Sequence, residues 1–420
     1  MVNEKILYIV TISFAFTWLP VQLFGSKAEA YSLIRLVGVP FIIISILSEY
    51  KSYSVVIKNK YIQFFLISIL VGMGAGLILG QLSSTILINI FPNVLALLFY
   101  ARKMNIYQIK KIIIILLFGS LSVCILVIMA YHGVINPVVN TEAQITNLGI
   151  LFKRTWGGLS SSHIGPWVFL LVSFSTINSL LRIKYLILNL FILSIAYLAS
   201  IYSAQRSLIF CIILSVILCS LLFSIRIKGL GHYRAKKKYF RNFLTTILAI
   251  VIAGNAIYFA THQSFMVLKY RIEKTFIEED YYGGEQRLII WKYFLEDLTK
   301  NPKFFGSDDV IMEEKVGTGT HILIGEAYYY GGILLLISSI LIIISSTRGL
   351  IERIKKLDSP IEVEIIFALT ATLIASIVYF LVMPGLFSRL FYIIIGIIQG
   401  QMYREIPLKK SGSNRNGVLA

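Results

Sequence analysis

The chain has 420 residues, of which 57% are hydrophobic and 14% charged, and its mean hydropathy is +0.79. A soluble globular chain carries roughly 45–50% apolar and about 25% charged residues, so this composition excludes one and calls for several membrane spans. The net charge of +18, from 39 basic and 21 acidic residues, fits either nucleic acid or the cytoplasmic side of a bilayer, and its distribution along the chain decides between them.

About twenty apolar residues cross a hydrocarbon core. Twelve segments qualify, near 6–24, 31–48, 61–80, 83–100, 112–131, 164–181, 185–203, 207–225, 243–261, 322–347, 361–383 and 386–403. The first run, Ile6 to Phe24, precedes Ala28-Glu29-Ala30, which has the form of a cleavage site. It is longer than a signal h-region and only Lys5 supplies a basic flank, so it reads as a retained span. Gln205 and Arg206 divide the seventh segment from the eighth, and Met383-Pro384-Gly385 divides the last pair.

With the N-terminus inside, 25 of the 39 basic residues fall in cytoplasmic connections or the tail, and the short outer connections carry almost none. This positive-inside alternation predicts a multi-pass protein of the bacterial inner membrane with both termini cytoplasmic. The charge is therefore a topology signal, and no nucleic-acid partner is expected. The expected fold is all-α and polytopic. Residues 1–261 hold nine spans with a periplasmic loop at 132–163, and 262–321 form a large periplasmic loop. Three more spans fill 322–403, ahead of a basic cytoplasmic tail at 404–420 in which Ser411-Gly412-Ser413-Asn414 reads as disordered. Cys124, Cys211 and Cys219 all sit in apolar runs, so they read as packing residues.

The large loop carries 11 of the 21 acidic residues and eight basic ones. Long polar loops between spans are more often functional than idle. Within it, 285–299 reads as a helix, with Leu288, Trp291, Leu295 and Leu298 as one apolar stripe. Gly283-Gly284 permits the turn before it and Asn301-Pro302 stops it. Arg287 and Trp291, four apart, share a face and can present a cation beside an aromatic platform. An ordinary amphipathic helix with a snorkelling Arg has the same spacing.

Gly317-Thr-Gly-Thr-His321 then opens into the tenth span. A neutral imidazole there can accept a proton from an attacking hydroxyl, or simply cap the helix. Glu326 lies one turn deeper, where an acid is costly and usually has a role, either orienting His321 or acting as the base itself. Arg206 stands alone in a short outer turn, against the charge bias, and invites an anion; an interfacial snorkelling Arg is the plain alternative. Arg35 is read the same way. Arg154, beside Trp156 in the smaller loop, adds a basic and aromatic stretch that also suits a solvated loop. Asp308-Asp309 is a weak carboxylate pair, and the outer histidines His132, His163, His262 and His321 have no metal-ligand spacing. No metal site is expected.

Gly284-Glu-Gln-Arg287…Trp291, Asn301-Pro302, Gly306, and His321 leading to Gly331-Gly332 together resemble the bacterial O-antigen polymerase and ligase superfamily. Tyr202-Ser203-Ala-Gln-Arg206 is similar to that superfamily's Ser-Arg signature between two mid-chain spans. Arg154 to Gly165 fits an Arg-x10-Gly element of some polymerases, whereas Ile322 replaces the Asn expected after His321. The resemblance implies a GT-C-like arrangement, no cofactor, and glycosyl transfer between undecaprenyl-pyrophosphate-linked glycans. By the same resemblance Arg206 and Arg287 serve the pyrophosphate, His321 or Glu326 the acceptor hydroxyl, and Arg35, Arg154 and Trp291 substrate binding. The bilayer and a polysaccharide chain-length regulator are the implied partners.

Overall fold

The structure is a computed structural model describing residues 4–16, 37–53, 56, 58–135, 142–145, 151–154, 161–203, 205–228, 233–262, 266, 269, 285–300, 302–307, 322–354, 357, 359–383, 386 and 388–402. The side chains of residues 50, 85, 88, 142–145, 151–154, 161–163, 206, 228, 233–236, 285–288 and 402 lie outside that description. In chain order the helices are α1 (Glu4–Ala15), α2 (Val39–Ser48), α3 (Lys60–Ile78), α4 (Ser84–Tyr100), α5 (Ile106–Tyr131), α6 (Ser161–Leu181) and α7 (Leu186–Tyr202). There follow α8 (Arg206–Lys228), α9 (Tyr233–Ala260), α10 (Glu285–Lys300), α11 (Leu323–Ile354), α12 (Pro360–Phe380) and α13 (Arg389–Met402). Between α5 and α6, β1 (Glu142–Ile145) pairs antiparallel with β2 (Leu151–Arg154), Glu142 opposite Arg154. This hairpin occupies a stretch whose pattern had predicted only loop.

Eight of these helices are long and apolar enough to cross a membrane: α3, α5, α6, α7, α8, α9, α11 and α12. A helical, polytopic fold is thus in place. The other four expected segments coincide with α1, α2, α4 and α13, which have 12, 10, 17 and 14 described residues. Residues 17–36, which join the first two, lie outside the described residues.

Buried α6 and α12 form the centre, whereas α9, nearly all of it uncovered, stands on the rim. Lipid is as apolar as leucine, so helices in a bilayer associate through close packing and internal hydrogen bonds. Gly396 and Gly400, four apart on α13, do this against α4 and the two residues that follow it. A Cβ on Gly396 would come within 2.7 Å of the Leu97 carbonyl oxygen, and one on Gly400 equally near that of Arg102. Polar glue joins three helices where Asn59 Nδ2 donates to Gln399 Oε1 at 2.7 Å. Gln399 Nε2 in turn donates to Ser346 Oγ at 2.8 Å.

The bundle has two chemically distinct ends. At one, Asn59 caps α3, Asn105 and Gln108 form a capping box on α5, and Ser359 caps α12 ahead of Pro360. The same end holds the ion pairs Arg182–Glu364 at 3.0 Å and Arg353–Glu362 at 3.7 Å. Arg102 is fully buried there, with Nη1 donating to Ser45 Oγ at 3.1 Å and its guanidinium 4.2 Å from the Phe99 ring centre. Burial pulls the Arg102 pKa down, an effect opposed by Tyr53, Tyr100 and Glu49. The candidate site lies at the other end.

Candidate functional site

The site is organised by the C-terminal end of α12 and the turn after it. Tyr379, fully buried, donates its hydroxyl to Gln205 Oε1 at 2.9 Å. Its ring fits only because Gly165, in the second turn of α6, has no side chain: a Cβ there would lie 2.6 Å from the ring. Gln205 immediately precedes Arg206, the first residue of α8, so the backbone of Arg206 is fixed beside this pair. Two residues past Tyr379, the Leu381 carbonyl accepts a hydrogen bond from Trp291 Nε1 of α10 at 3.2 Å. The backbone of Arg287 lies four residues earlier on α10, one helical turn away. Five residues past Leu381, the Leu386 N–H donates to Glu326 Oε2 at 2.8 Å. The α8 start, α10 and α11 thus meet on one short segment.

A second feature anchors α10. Gly332 breaks α11 with φ 69° and ψ −170°, separating a leading helical piece from the span proper. In a continuous helix the Ile333 N–H would bond the Tyr329 carbonyl. Instead Ile333 N donates to Lys303 O at 2.9 Å, and Ser307 N donates to Tyr329 O at 2.7 Å. The segment 302–307 therefore occupies the gap and satisfies both groups, as non-helical backbone at membrane depth must be satisfied within the protein. On its far side Gly306 N donates to Gly72 O at 3.0 Å, where α3 carries a π-turn at Ile69–Met73. A Cβ on Gly72, Gly306, Gly331 or Gly332 would overlap a neighbouring residue. Pi-turns and helix breaks of this kind concentrate at functional sites. Tyr328 and Tyr329 tie the leading piece to α10, donating to Asp297 O at 3.2 Å and Asp297 Oδ2 at 2.8 Å.

Several sequence expectations change here. Among the described side chains of α10, Ile290 and Phe294 are buried, packed on Tyr328, Tyr329 and Leu336, with Trp291, Tyr293 and Leu298 partly covered. Leu295 is 51% exposed, so the stripe is rotated from the expected one; the aromatic pair on α11 selects the larger ring at Phe294. Glu326 is 3% exposed and engaged with a backbone amide, its Oε2 accepting from the Leu386 N–H. Trp291 is likewise committed through its indole N–H, leaving its ring half-buried against Phe294. His321, Arg35, Asp308-Asp309, Gly317-Thr-Gly-Thr, Gly283-Gly284, Asn301, Trp156 and the tail lie outside the described residues, as do the side chains of Arg154, Arg206 and Arg287. Arg154 is placed by its backbone as the last residue of β2.

Sequence reasoning had not singled out Tyr379, Gly165's role as its seat, Leu381 or Leu386. The last two act through the backbone and carry no side-chain signature. Nor had it marked Tyr131, whose ring stacks on Tyr202 at 4.0 Å, with His132 edge-on to both. This cluster closes the ends of α5 and α7 three residues ahead of Gln205. Among the described residues no three His, Cys, Asp or Glu side chains are grouped to hold a metal ion. Neither a protein-family model nor a curated protein matches the chain.

Proposed function

We propose that this chain polymerises lipid-linked repeat units of a bacterial surface polysaccharide at the periplasmic face of the inner membrane. In this reading the growing glycan moves from undecaprenyl pyrophosphate onto the non-reducing end of a new lipid-linked unit. The acceptor hydroxyl oxygen bonds to the anomeric carbon and the bond from that carbon to the pyrophosphate oxygen breaks. The pyrophosphate leaves with the electron pair and the hydroxyl proton passes to a base. Arg206 and Arg287 hold the pyrophosphate and stabilise the charge it gains. His321 takes the proton, with Arg35 and Arg154 assisting substrate binding. Glu326 serves by bracing the turn that receives Trp291.

The observation that carries this reading is the meeting of the α8 start and α10 on the end of α12, through Gln205–Tyr379 and Trp291–Leu381. Two arginines singled out on separate sequence grounds, 81 positions apart, thereby stand on elements tied to one segment. Their end of the bundle lies away from the cluster of caps and basic side chains, which suits the periplasmic side under the positive-inside rule.

Deletion and complementation with lipopolysaccharide resolved on a gel tests it. A polymerase defect leaves core bearing a single repeat unit. Core alone with accumulated polymer would make the protein a ligase, and core alone without external polymer a flippase. Arg206→Ala, Arg287→Ala and His321→Ala should each abolish the ladder; wild-type ladders from all three would remove these residues from the site.

A further inference from the structure

A cavity of about 60 Å³ opens where four helices meet, at the end of the bundle away from the candidate site. Its walls include Leu181 at the end of α6, Phe223 and Arg226 near the end of α8, Tyr239 of α9, and Pro360 and Val363 at the start of α12. One water takes roughly 10–15 Å³ by the same measure, so the space suits a group of about four or five non-hydrogen atoms. That is the size of a phosphate group.

Charge decides the sign of the occupant. Among the described residues Arg226 is the one charged side chain of the wall, and no carboxylate pairs with it. The acids flanking Val363 along the chain, Glu362 and Glu364, are held by Arg353 at 3.7 Å and Arg182 at 3.0 Å. Residues 226–242 carry seven basic residues and no acidic one, and of these Lys237, Lys238 and Arg241 are exposed on α9. The start of α12 adds the positive end of its dipole. An anion is favoured here, and a headgroup bearing its own ammonium is repelled.

The surroundings favour a lipid over a free anion. Ile217, Leu221 and Ile225 form an exposed apolar ridge on α8 that ends beside Arg226. Phe240, Leu244 and Leu248 form another on α9 that starts beside Tyr239. Both have the i, i+4 spacing that keeps side chains on one face. Acyl chains lie along such ridges, and a basic pocket between helix ends receives the headgroup. Helix α9 also has few ties of its own. Tyr239 is edge-on to Phe223 at 5.8 Å and Asn242 Nδ2 donates to Leu180 O at 3.4 Å, but from Ile247 to Ala260 no residue is buried.

We propose that this pocket binds the phosphate of an anionic phospholipid through Arg226, with the acyl chains along α8 and α9, and that the lipid fastens α9 to the bundle. The inference is independent of the polymerase reading.

The test titrates the full chain in maltoside detergent with phosphatidylglycerol or with phosphatidylcholine of the same acyl chains. Bound lipid is counted by native mass spectrometry and stability is read as the melting temperature. Phosphatidylglycerol is expected to bind roughly tenfold more tightly, the weight of one charge-assisted hydrogen bond, and to raise the melting temperature. Arg226→Gln should remove both effects. Lys58→Gln, at an exposed basic residue of the same end, should keep them. A diazirine-bearing phosphatidylglycerol should label 217–227 and 239–248 of the unmutated chain, which tests the site even if Arg226→Gln does not fold. Equal binding of the two lipids, a preference that survives Arg226→Gln, or label confined to other helices would overturn the proposal. Equal stabilisation by inorganic phosphate would make the pocket a site for a free anion and overturn the lipid assignment.

Discussion

Glu326 separates two roles that a buried carboxylate can have. Its Oε2 receives the Leu386 N–H at 2.8 Å, and the residue is 3% exposed. A carboxamide oxygen accepts the same bond, so Glu326→Gln should keep the polymer ladder near wild type in a complemented strain. Glu326→Ala leaves a buried amide unpaired, at a cost of about 1–3 kcal/mol, and should shorten the ladder and lower the melting temperature. Loss of polymer in the Gln variant at unchanged melting temperature would return Glu326 to the chemistry. Gly165 is tested differently. The added methyl of Gly165→Ala must displace the Tyr379 ring, which Phe169 and Gln205 hold in place. Overpacking of this kind typically costs about 1–3 kcal/mol. The expected result is a lowered melting temperature together with reduced polymer, since the Arg206 backbone is set by the same contact. A melting curve like wild type would show the ring has room to move.

Helix α11 and the 302–307 segment act as one element although fifteen residues of chain, 308–322, separate them. The broken bond between positions 329 and 333 is repaired only by the segment, so the break and the wedge require each other. Gly332 has φ 69°, a conformation costing a residue with a side chain about 1–3 kcal/mol, and a Cβ there would also overlap the Phe304 carbonyl. Gly332→Ala should therefore expel the wedge. The expected readout is faster hydrogen exchange at Gly306 and Ser307 with retained helicity, whereas unchanged exchange would mean the wedge holds without the glycine. Sequence reasoning had marked Pro302, Gly306 and Gly331-Gly332 as motif residues without showing that they meet. Contacts made by backbone groups leave no pattern in composition or periodicity. The rotation of α10 has a related cause: Leu288-Trp291-Leu295-Leu298 and Ile290-Phe294-Leu298 are both apolar stripes in the sequence, and packing against Tyr328, Tyr329 and Leu336 favours the second.

For the molecule as a whole, run length and charge made the helices and their two-ended arrangement legible, because both follow from the bilayer and not from particular contacts. The ends are now fixed by structure. Arg102, Arg182 and Arg353 are tied at one, whereas Trp291, Tyr379 and Glu326 are tied at the other. The membrane side of each end is open to direct measurement. Cys124, Cys211 and Cys219 are all buried, so they contribute little background to labelling by a bulky, impermeant maleimide. His132 and Lys58 are exposed at opposite ends of the bundle. In intact spheroplasts His132→Cys should react, whereas Lys58→Cys should react only after the membrane is opened. The reverse pattern would put Gln205, Trp291 and Glu326 on the cytoplasmic side, out of reach of a periplasmic polymerisation. Reaction of both without permeabilisation would contradict a bundle that spans the bilayer between these two positions.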